Sequence, residues 1–293
     1  MNLYIFNETR RGAIYGVGTY IRELTTVLKR SNINVCVVNL LSDRPYIQVE
    51  QIEGVRYLYY PSPIPEQRTK SDQEERDLYH RNVVYLLQLH IHDKEKLIFH
   101  LNFPQSSVLV EELKNIFDCR VVSVVHFSNW GSTIFDNLPR LRNILQAEQP
   151  DDFEINLSDS FEEEKTFYSL LDHCICLSNY MQEILHKDYG LDITKISVIP
   201  NGLCDVVDIT KNSKILRKKW NISPREKIIL FAGRMDEIKG MTYLIQAFRH
   251  VLISYPQSRL VIAGTGNFDK YIQALQDICT KITYTGLLEK NII

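Results

Sequence analysis

Short apolar runs alternate with longer segments of helical periodicity through the first part of the chain. The run from Leu3 to Phe6 is followed by apolar residues at helical spacing between Val17 and Leu28. Further apolar runs, separated by helical signals, cover residues 35–41, 55–60, 97–101, 121–125 and 174–177. Fully apolar runs are typical of parallel strands that are buried on both faces. The pattern therefore predicts an α/β domain with a doubly wound parallel sheet.

A second series of the same kind begins after a polar crossing at Asp205 to Lys214. Its predicted elements are strand 228–232, a helix from Gly240, strand 260–263, a helix over 269–279 and strand 282–285. We therefore predict two domains, residues 1–200 and residues 201–293. Three parallel strands leave a sheet edge uncovered, so we expect the second domain to be incomplete.

The segment from Asp136 to Glu164 breaks the regular alternation and ends in three consecutive glutamates. A run of like charges is usually a solvated face. We therefore expect a surface excursion here that leads into a helix.

Composition limits the class of protein. The formal net charge is -2, which argues against a nucleic-acid partner. The N-terminus lacks the basic start and apolar core of a signal peptide, and no apolar run is long enough for a transmembrane helix. The six cysteines have no metal-ligand spacing, so we expect reduced, mostly buried thiols. Together these features predict a cytoplasmic protein.

The stretch from Ile228 to Gly240 carries the clearest candidate chemistry. Its apolar strand ends at Gly233, Arg234 and Lys239 follow, and a helical pattern begins at its last glycine. A helix N-terminus offers free backbone N–H groups and a positive dipole end to an anion. Arg234 can donate two hydrogen bonds to a phosphate, and Lys239 adds a point charge. These residues alone suit a diphosphate site and a solvated basic loop equally well.

Glycines mark two more loops at the ends of predicted strands. Gly16 and Gly18 lie between the first strand and the first helix, but Ile21 replaces the third glycine of a dinucleotide-binding fingerprint. Gly264 and Gly266 follow the second strand of the second domain. Such glycines permit close approach of a ligand to the backbone, and they also suit ordinary tight turns. Both interpretations stay open for the first pair.

His126 directly follows the predicted strand 121–125. In a doubly wound sheet the carboxyl ends of the strands face the ligand crevice, so we favour a functional role for this histidine over a structural one. Ser178 also follows a strand, but no nucleophile-elbow motif surrounds it, so a serine hydrolase is not supported. No cluster of histidine, cysteine, aspartate and glutamate has the spacing of metal ligands.

Seven short motifs together resemble the retaining glycosyltransferases of family 4, which have the two-domain GT-B fold. In chain order they are Gly16-Val-Gly-Thr-Tyr20, Val124-Val-His-Phe127, Cys176-Leu-Ser178, Val198-Ile-Pro-Asn-Gly202 with Asp205, Phe231-Ala-Gly-Arg-Met-Asp-Glu-Ile-Lys-Gly240, Leu260-Val-Ile-Ala-Gly-Thr-Gly266 and Tyr284-Thr-Gly286. Each motif is weak alone, and their shared order along the chain makes the resemblance specific. The opening residues also look like a Bacteroidetes subgroup linked to peptide-modification gene clusters.

The resemblance implies two Rossmann-like doubly wound domains that face each other across a cleft. Residues 1–200 would form the acceptor-side domain, and residues 201–293 a partial nucleotide-sugar-binding domain. His126 would be the catalytic-site histidine that positions the transferred sugar. The residues assigned to the donor are Arg234, Lys239, Gly16 and Gly18 at the diphosphate and Gly233, Gly264 and Gly266 in the nucleotide-side loop.

The implied reaction moves a sugar from a nucleotide-sugar donor to an acceptor with retention of configuration. Members of the family work without a cofactor or bound metal, so none is expected here. The acceptor would be a glycan, a lipid-linked molecule or a peptide. Peripheral contact with a membrane is left open, and no nucleic-acid partner is expected.

One departure from the family pattern concerns the C-terminal part of the chain. The family has two glutamates in its later C-terminal domain, and this chain ends before that segment, so we expect a C-terminally truncated member. The alternative is a truncated, non-catalytic glycosyltransferase-like binding protein. A nicotinamide-dependent oxidoreductase is disfavoured by the incomplete glycine fingerprint at Gly16 and Gly18.

Overall fold

The computed structural model of this chain describes residues 1–8, 16–63, 72–104, 106–202 and 217–288. The chain divides into two compact units, Met1–Cys204 and Asp205–Ile293, called unit 1 and unit 2 below. Each unit is built around its own sheet with helices packed against it. This architecture confirms the predicted α/β fold class.

Unit 1 contains an eight-stranded sheet that is parallel except at one edge. Its strands are β1 Asn2–Glu8, β2 Asn34–Ser42, β3 Gln48–Ile52, β4 Val55–Pro61, β5 Leu97–Leu101, β6 Cys119–Val125, β7 His173–Cys176 and β8 Ile196–Val198. Their spatial order is β3-β4-β2-β1-β5-β6-β7-β8. The chain builds outward from β1 on one side and then on the other, starting with β5. The neighbouring carboxyl ends of β1 and β5 are therefore the topological switch point, where sheets of this type bind ligands.

Helices cover both faces of this sheet. They are α1 Gly16–Leu28, α2 Asp72–Leu87, α3 Ser107–Ile116, α4 Asn129–Ile134, α5 Leu138–Leu145, α6 Asp152–Ser169 and α7 Asn179–Lys187. Side chains alternate along β1, so that Tyr4 and Phe6 join the larger core while Leu3 and Ile5 pack against α1. Burial on both faces explains why the strands read as continuous apolar runs.

The prediction of an all-parallel sheet was wrong at the edge formed by β3. This strand pairs antiparallel with β4, from Gln48 opposite Tyr59 to Ile52 opposite Val55. The two residues of the connecting turn both have positive φ, which matches the right-handed twist of a two-residue hairpin. β3 carries mostly polar, exposed residues, so a search for apolar runs could not find it.

The segment between residues 136 and 164 was expected to be a surface excursion that leads into a helix, and only the helix is confirmed. This segment contains α5 and most of α6, and both helices pack on the core of unit 1. A capping box formed by Asp151 and Glu154 fixes the start of α6. Leu157 and Phe161 are buried, and Glu164 lies on the same helix face with 2% of its surface exposed. The acidic run at the end of the segment is therefore not a uniformly solvated face.

Unit 2 contains a three-stranded parallel sheet in the order β11-β10-β9, with β9 Lys227–Ala232, β10 Ser258–Ala263 and β11 Ile282–Gly286. Its helices are α8 Met241–Ser254 and α9 Asp269–Leu275, and short 3-10 turns cover Glu237–Lys239 and Gln276–Lys281. One core cluster joins α8 and α9 to a single face of the sheet. The predicted order of strands and helices is confirmed for this unit.

The expectation that β9 is buried on both faces was wrong. Ile229 and Phe231 pack against the core cluster of unit 2. Ile228 and Leu230 point to the other face, and they are 41% and 50% exposed. β9 lies at the edge of the sheet, which accounts for part of this exposure.

Candidate functional site

His126 is held by a chain of hydrogen bonds that crosses the switch point of unit 1. Nε2 of His126 lies 3.1 Å from Oδ1 of Asn102, a residue that directly follows β5. Nδ2 of Asn102 donates to the backbone carbonyl oxygen of Phe6 in β1 at 2.9 Å. Asn102 is 1% exposed, so its side chain needs these partners in place of water. The chain fixes His126 at the carboxyl ends of three neighbouring strands.

The ring of Tyr20 lies against the imidazole of His126 and also near that of His100. The ring of Tyr20 in α1 stands edge-on at 4.7 Å between centroids, and it lies 6.1 Å from the ring of His100. Burial lowers the pKa of His100 to about 4, and the neighbouring His126 contributes. Burial likewise lowers the pKa of His126 to about 4. Both imidazoles are therefore neutral at pH 7.

The sequence predicted a loop at Gly16 and Gly18, but the structure places both glycines in the first turn of α1. A Cβ atom at Gly16 would meet no atom within 4 Å, so close packing does not demand a glycine at that position. Gly18 is buried. Since Tyr20 of the same helix contacts His126, the structure brings this glycine turn and the histidine to one edge of the sheet. Residues 9–15 of the predicted loop lie outside the described residues.

The loop after β9 and the loop after β10 run side by side at the carboxyl edge of the second sheet. The N–H of Gly233 donates to the carbonyl oxygen of Ala263 at 2.9 Å. A Cβ atom at Gly264 would lie 1.9 Å from the carbonyl oxygen of Gly233, and one at Gly266 would lie 2.6 Å from that of Met235. Both positions have φ values, +151° and +145°, that favour glycine. The three glycines predicted for a nucleotide-side loop are therefore brought together.

Arg234 and Lys239 lie on the loop between β9 and α8, and both side chains are exposed. The role of Asp236, which lies between them, was not predicted from the sequence. Its carboxylate accepts a hydrogen bond from Nε of Arg234, and its Oδ1 accepts one from the backbone N–H of Lys239 at 2.9 Å. An anionic ligand that binds Nε of Arg234 must therefore compete with Asp236. The sequence did contain a signal for this role, because an aspartate two residues after Arg234 and just before a helical turn is a typical N-cap.

Glu237 fixes the other side of the same loop. Its Oε1 accepts hydrogen bonds from Oγ1 of Thr242 at 2.9 Å and from the hydroxyl of Tyr271 at 3.1 Å, and Nζ of Lys270 lies 3.5 Å away. The hydrogen bond from Thr242 is the largest of the effects that hold the pKa of Glu237 below its usual value. The loop between β9 and α8 is therefore tied to the first turns of α8 and α9.

A buried carboxylate, which was not predicted from the sequence, anchors the chain just after His126. Oε1 of Glu164 accepts from the backbone N–H of Asn129 at 2.8 Å, and Oε2 accepts from the hydroxyl of Tyr189 at 2.5 Å. Nε1 of Trp130 in turn donates to that hydroxyl at 3.2 Å. Burial raises the pKa of Glu164 against the opposing effect of these hydrogen bonds. The network ties α6 to the first residues of α4.

The part of the chain that the structure describes contains neither a metal-ligand cluster nor a membrane-spanning helix. Within it, no three or more histidine, cysteine, aspartate or glutamate side chains are grouped so that they could hold a metal ion. In the same ranges, no helix combines the length and the apolar character that crossing a bilayer requires.

Two relatives show how far the sequence similarity extends. An uncharacterized glycosyltransferase of Methanocaldococcus jannaschii is 31% identical over 112 residues, which cover 37% of this chain and 28% of the relative. The alpha-monoglucosyldiacylglycerol synthase of Streptococcus pneumoniae is 30% identical over 130 residues, which cover 40% of this chain and 28% of that protein. The matched segments thus span less than a third of the length of either relative.

A solved structure extends the likeness over nearly the whole chain. The catalytic domain of starch synthase IV from Arabidopsis thaliana, bound to ADP and acarbose, matches with a TM-score of 0.64 at 16% identity. The match covers 98% of this chain and 74% of that chain. At this identity the likeness shows the fold, and it confirms the expected GT-B architecture.

Models of two glycosyltransferase families match the chain in sequence order. The model of Glycosyltransferase Family 4 matches residues 14–204, and that of Glycosyl transferases group 1 matches residues 212–286. The first match alone covers more than half of the chain. The two matches, the ordered motifs and the fold agree with one another: the chain belongs to glycosyltransferase family 4.

Proposed function

We propose that this chain is a glycosyltransferase that moves a sugar from a nucleotide-sugar donor to an acceptor with retention of configuration. The observation that carries the proposal is the pair of glycine loops at the ends of β9 and β10. They place Arg234 and Lys239 at the carboxyl edge of the sheet in unit 2. Doubly wound sheets bind their ligands at this edge.

The donor diphosphate would bind between the guanidinium of Arg234 and the ammonium of Lys239. The glycines at positions 233, 264 and 266 leave the loop backbones without side chains, so a nucleotide can approach them closely. When the bond from the sugar to the diphosphate breaks, negative charge grows on the departing nucleotide. Two cations already in place stabilise that charge, which is electrostatic stabilisation of the transition state.

Three parts of the proposal are carried over from the resemblance to the family. The acceptor attacks from the face that the nucleotide leaves, and a donor phosphate oxygen helps to take the acceptor proton. No metal ion or other cofactor takes part. In unit 1, His126 binds the transferred sugar, and the turn at Gly16 and Gly18 approaches the diphosphate or the acceptor.

The acceptor is proposed to be a glycan, a lipid-linked molecule or a peptide. One sequence relative is a synthase named for a glucosylated diacylglycerol, and the solved relative carries acarbose. A peptide acceptor is proposed from the resemblance of the opening residues to the Bacteroidetes subgroup. A panel with one acceptor of each class separates these proposals.

The diphosphate site is tested by calorimetric titration with UDP, ADP and GDP. We expect at least one nucleotide to bind the wild type and to lose at least about 100-fold in affinity in the Arg234→Ala/Lys239→Ala double variant, since each of the two charged hydrogen bonds contributes about 1.5–3 kcal/mol. A matched control is Arg225→Ala/Lys281→Ala. It removes the same charge ahead of β9 and β11, at the opposite edge of the sheet.

Equal affinity in the wild type and the double variant would remove the proposed site. An equal loss in the control would show that net charge alone causes the effect. Transfer itself is followed with the nucleotide sugars of the base that binds, in the presence of EDTA. An α-linked product from an α-linked donor supports retention, and a β-linked product contradicts it.

A further inference from the structure

We propose that Asn102 is a positioning residue that holds the imidazole of His126 in one tautomer, with the proton on Nε2 and a free lone pair on Nδ1. That lone pair would accept a hydrogen bond from a sugar hydroxyl, and this role rests on the proposed function. The assignment of the tautomer does not depend on the proposed function. Asn102 also follows a predicted strand, so the sequence marks it as a weaker candidate than His126. The contact between the two residues crosses neighbouring strands, so the sequence pattern does not show it.

The orientation of the Asn102 amide follows from its partner in β1. The backbone carbonyl oxygen of Phe6 can accept a hydrogen bond but cannot donate one. The amide atom 2.9 Å from it must therefore be the NH₂ group. A flipped amide would place two oxygen atoms against each other in a buried site, and both would then lack a donor. The hydrogen-bond network thus assigns the orientation.

The tautomer of His126 follows from the orientation of the amide. Oδ1 of Asn102 faces Nε2 of His126 at 3.1 Å, and an amide oxygen can only accept. Nε2 must therefore carry the proton. In a neutral imidazole the other nitrogen is then an acceptor. Among the residues that the structure describes, Nδ1 of His126 makes no hydrogen bond, so it is available to a donor group on a ligand.

The surroundings of His126 keep the ring in this form. The titratable groups that face it are His100 from β5 and Tyr20 from α1, and neither brings a negative charge at pH 7. Burial holds the pKa of His126 near 4 and raises that of Tyr20 to about 12. The neutral imidazole therefore presents Nδ1 as an acceptor, which suits a hydroxyl donor and not a second acceptor.

The chain contains an internal reference with the opposite tautomer. Nδ1 of His186 lies 2.8 Å from the backbone carbonyl oxygen of Leu191. A carbonyl oxygen can only accept, so Nδ1 of His186 must carry the proton when the ring is neutral. We therefore expect one spectrum to show the proton on Nε2 in His126 and on Nδ1 in His186.

The test is nitrogen NMR of the full chain with ¹⁵N-labelled histidine rings, recorded at pH 7.5. His126→Gln and His186→Gln assign the two rings by loss of their signals. We expect Nε2 of His126 to be protonated with at least about a tenfold preference, which one hydrogen bond of about 1.5 kcal/mol supplies. His186 should show protonated Nδ1. Protonated Nδ1 at His126, or an even mixture of tautomers, would overturn the proposal.

Variants at position 102 separate positioning from simple packing. Asn102→Leu removes the acceptor, and we expect the preference of His126 for protonated Nε2 to fall about tenfold while His186 is unchanged. Asn102→Asp loses the hydrogen bond to the carbonyl oxygen of Phe6 but keeps an acceptor at Nε2, so it should restore the tautomer and raise the pKa of His126. An unchanged His126 in Asn102→Leu contradicts the proposal. If Asn102→Leu does not fold, the wild-type and Asn102→Asp spectra still decide. If the chain transfers no sugar, the proposed function is contradicted, but the assignment of the His126 tautomer is unaffected.

Discussion

Two glycines in unit 2 hold the loops after β9 and β10 at a separation that a side chain does not permit. At Gly264 an added Cβ would overlap the carbonyl oxygen of Gly233, and the backbone there has a φ of +151°. Overlap with backbone cannot be relieved by turning a side chain, so the loops would have to separate. The groups proposed to bind the diphosphate would move with them.

We therefore predict that Gly264→Ala lowers the free energy of unfolding of unit 2 by about 3 kcal/mol, from steric overlap and backbone strain together. The matched control is Gly286→Ala in the same unit, where φ is +70° but no atom lies within 4 Å of the added Cβ. Backbone strain alone should cost about 1 kcal/mol there. Urea unfolding followed by circular dichroism measures both. Equal losses in the two variants would contradict the prediction.

At the scale of single elements, the network around Glu164 joins α6, α4 and Tyr189. Its carboxylate satisfies a backbone N–H at the start of α4, and the hydroxyl of Tyr189 is shared with Trp130. Removing one member of a buried network leaves the others without partners, which costs more than the lost bond itself.

Glu164→Leu should therefore destabilise unit 1 by about 2–3 kcal/mol, because the N–H of Asn129 and the hydroxyl of Tyr189 both lose their acceptor. Glu164→Gln keeps an acceptor and a similar shape, so its loss should be smaller. The exposed neighbour Glu163 provides the control, since Glu163→Leu should change stability by about 0.5 kcal/mol or less. Chemical denaturation of the three variants measures the differences. A loss in Glu163→Leu as large as that in Glu164→Leu would show that the buried network is not the cause.

Elements that bury a continuous apolar run or face could be predicted from the sequence. β1, β6 and β10 were found because burial on both faces leaves an unbroken apolar signal. β3 was missed because an exposed edge strand carries polar residues. Most of α6 was missed because its buried face includes Glu164, and a charged residue reads as exposed unless its partners are known. Those partners come from distant parts of the chain.

The candidate site divides in the same way. The glycines and cations of unit 2 lie close together in the sequence, so spacing alone marked them as a group. Asn102 and Asp236 depend on contacts that spacing does not show. Asn102 links β1 to His126, the residue after β6. Asp236 accepts hydrogen bonds from Nε of Arg234 and from the backbone N–H of Lys239 in its own loop. The local sequence marks the candidate groups, and the three-dimensional contacts show which other residues those groups bind.

At the scale of the whole molecule, the two units differ in how much core each one has. Unit 1 buries apolar side chains on both faces of its sheet, whereas unit 2 has a single small cluster on one face among the described residues. Less buried apolar area means less stability, so unit 2 should unfold first as urea is raised. Multidomain chains need not unfold in a single step.

Trp130 and Trp220 provide one fluorescent probe in each unit, and Trp130 is buried. In Trp220→Phe, the fluorescence of Trp130 should report the unfolding of unit 1 alone, while circular dichroism should show an earlier transition as well. If UDP binds the loop at Arg234, UDP at about 100 times its dissociation constant should stabilise the earlier transition by about 2.7 kcal/mol. The fluorescence transition should stay in place, because the ligand would bind unit 2. A single transition seen by both probes would contradict separate unfolding of the two units. A shift of the fluorescence transition with UDP would contradict binding to unit 2 alone, because it would show that the nucleotide also stabilises unit 1.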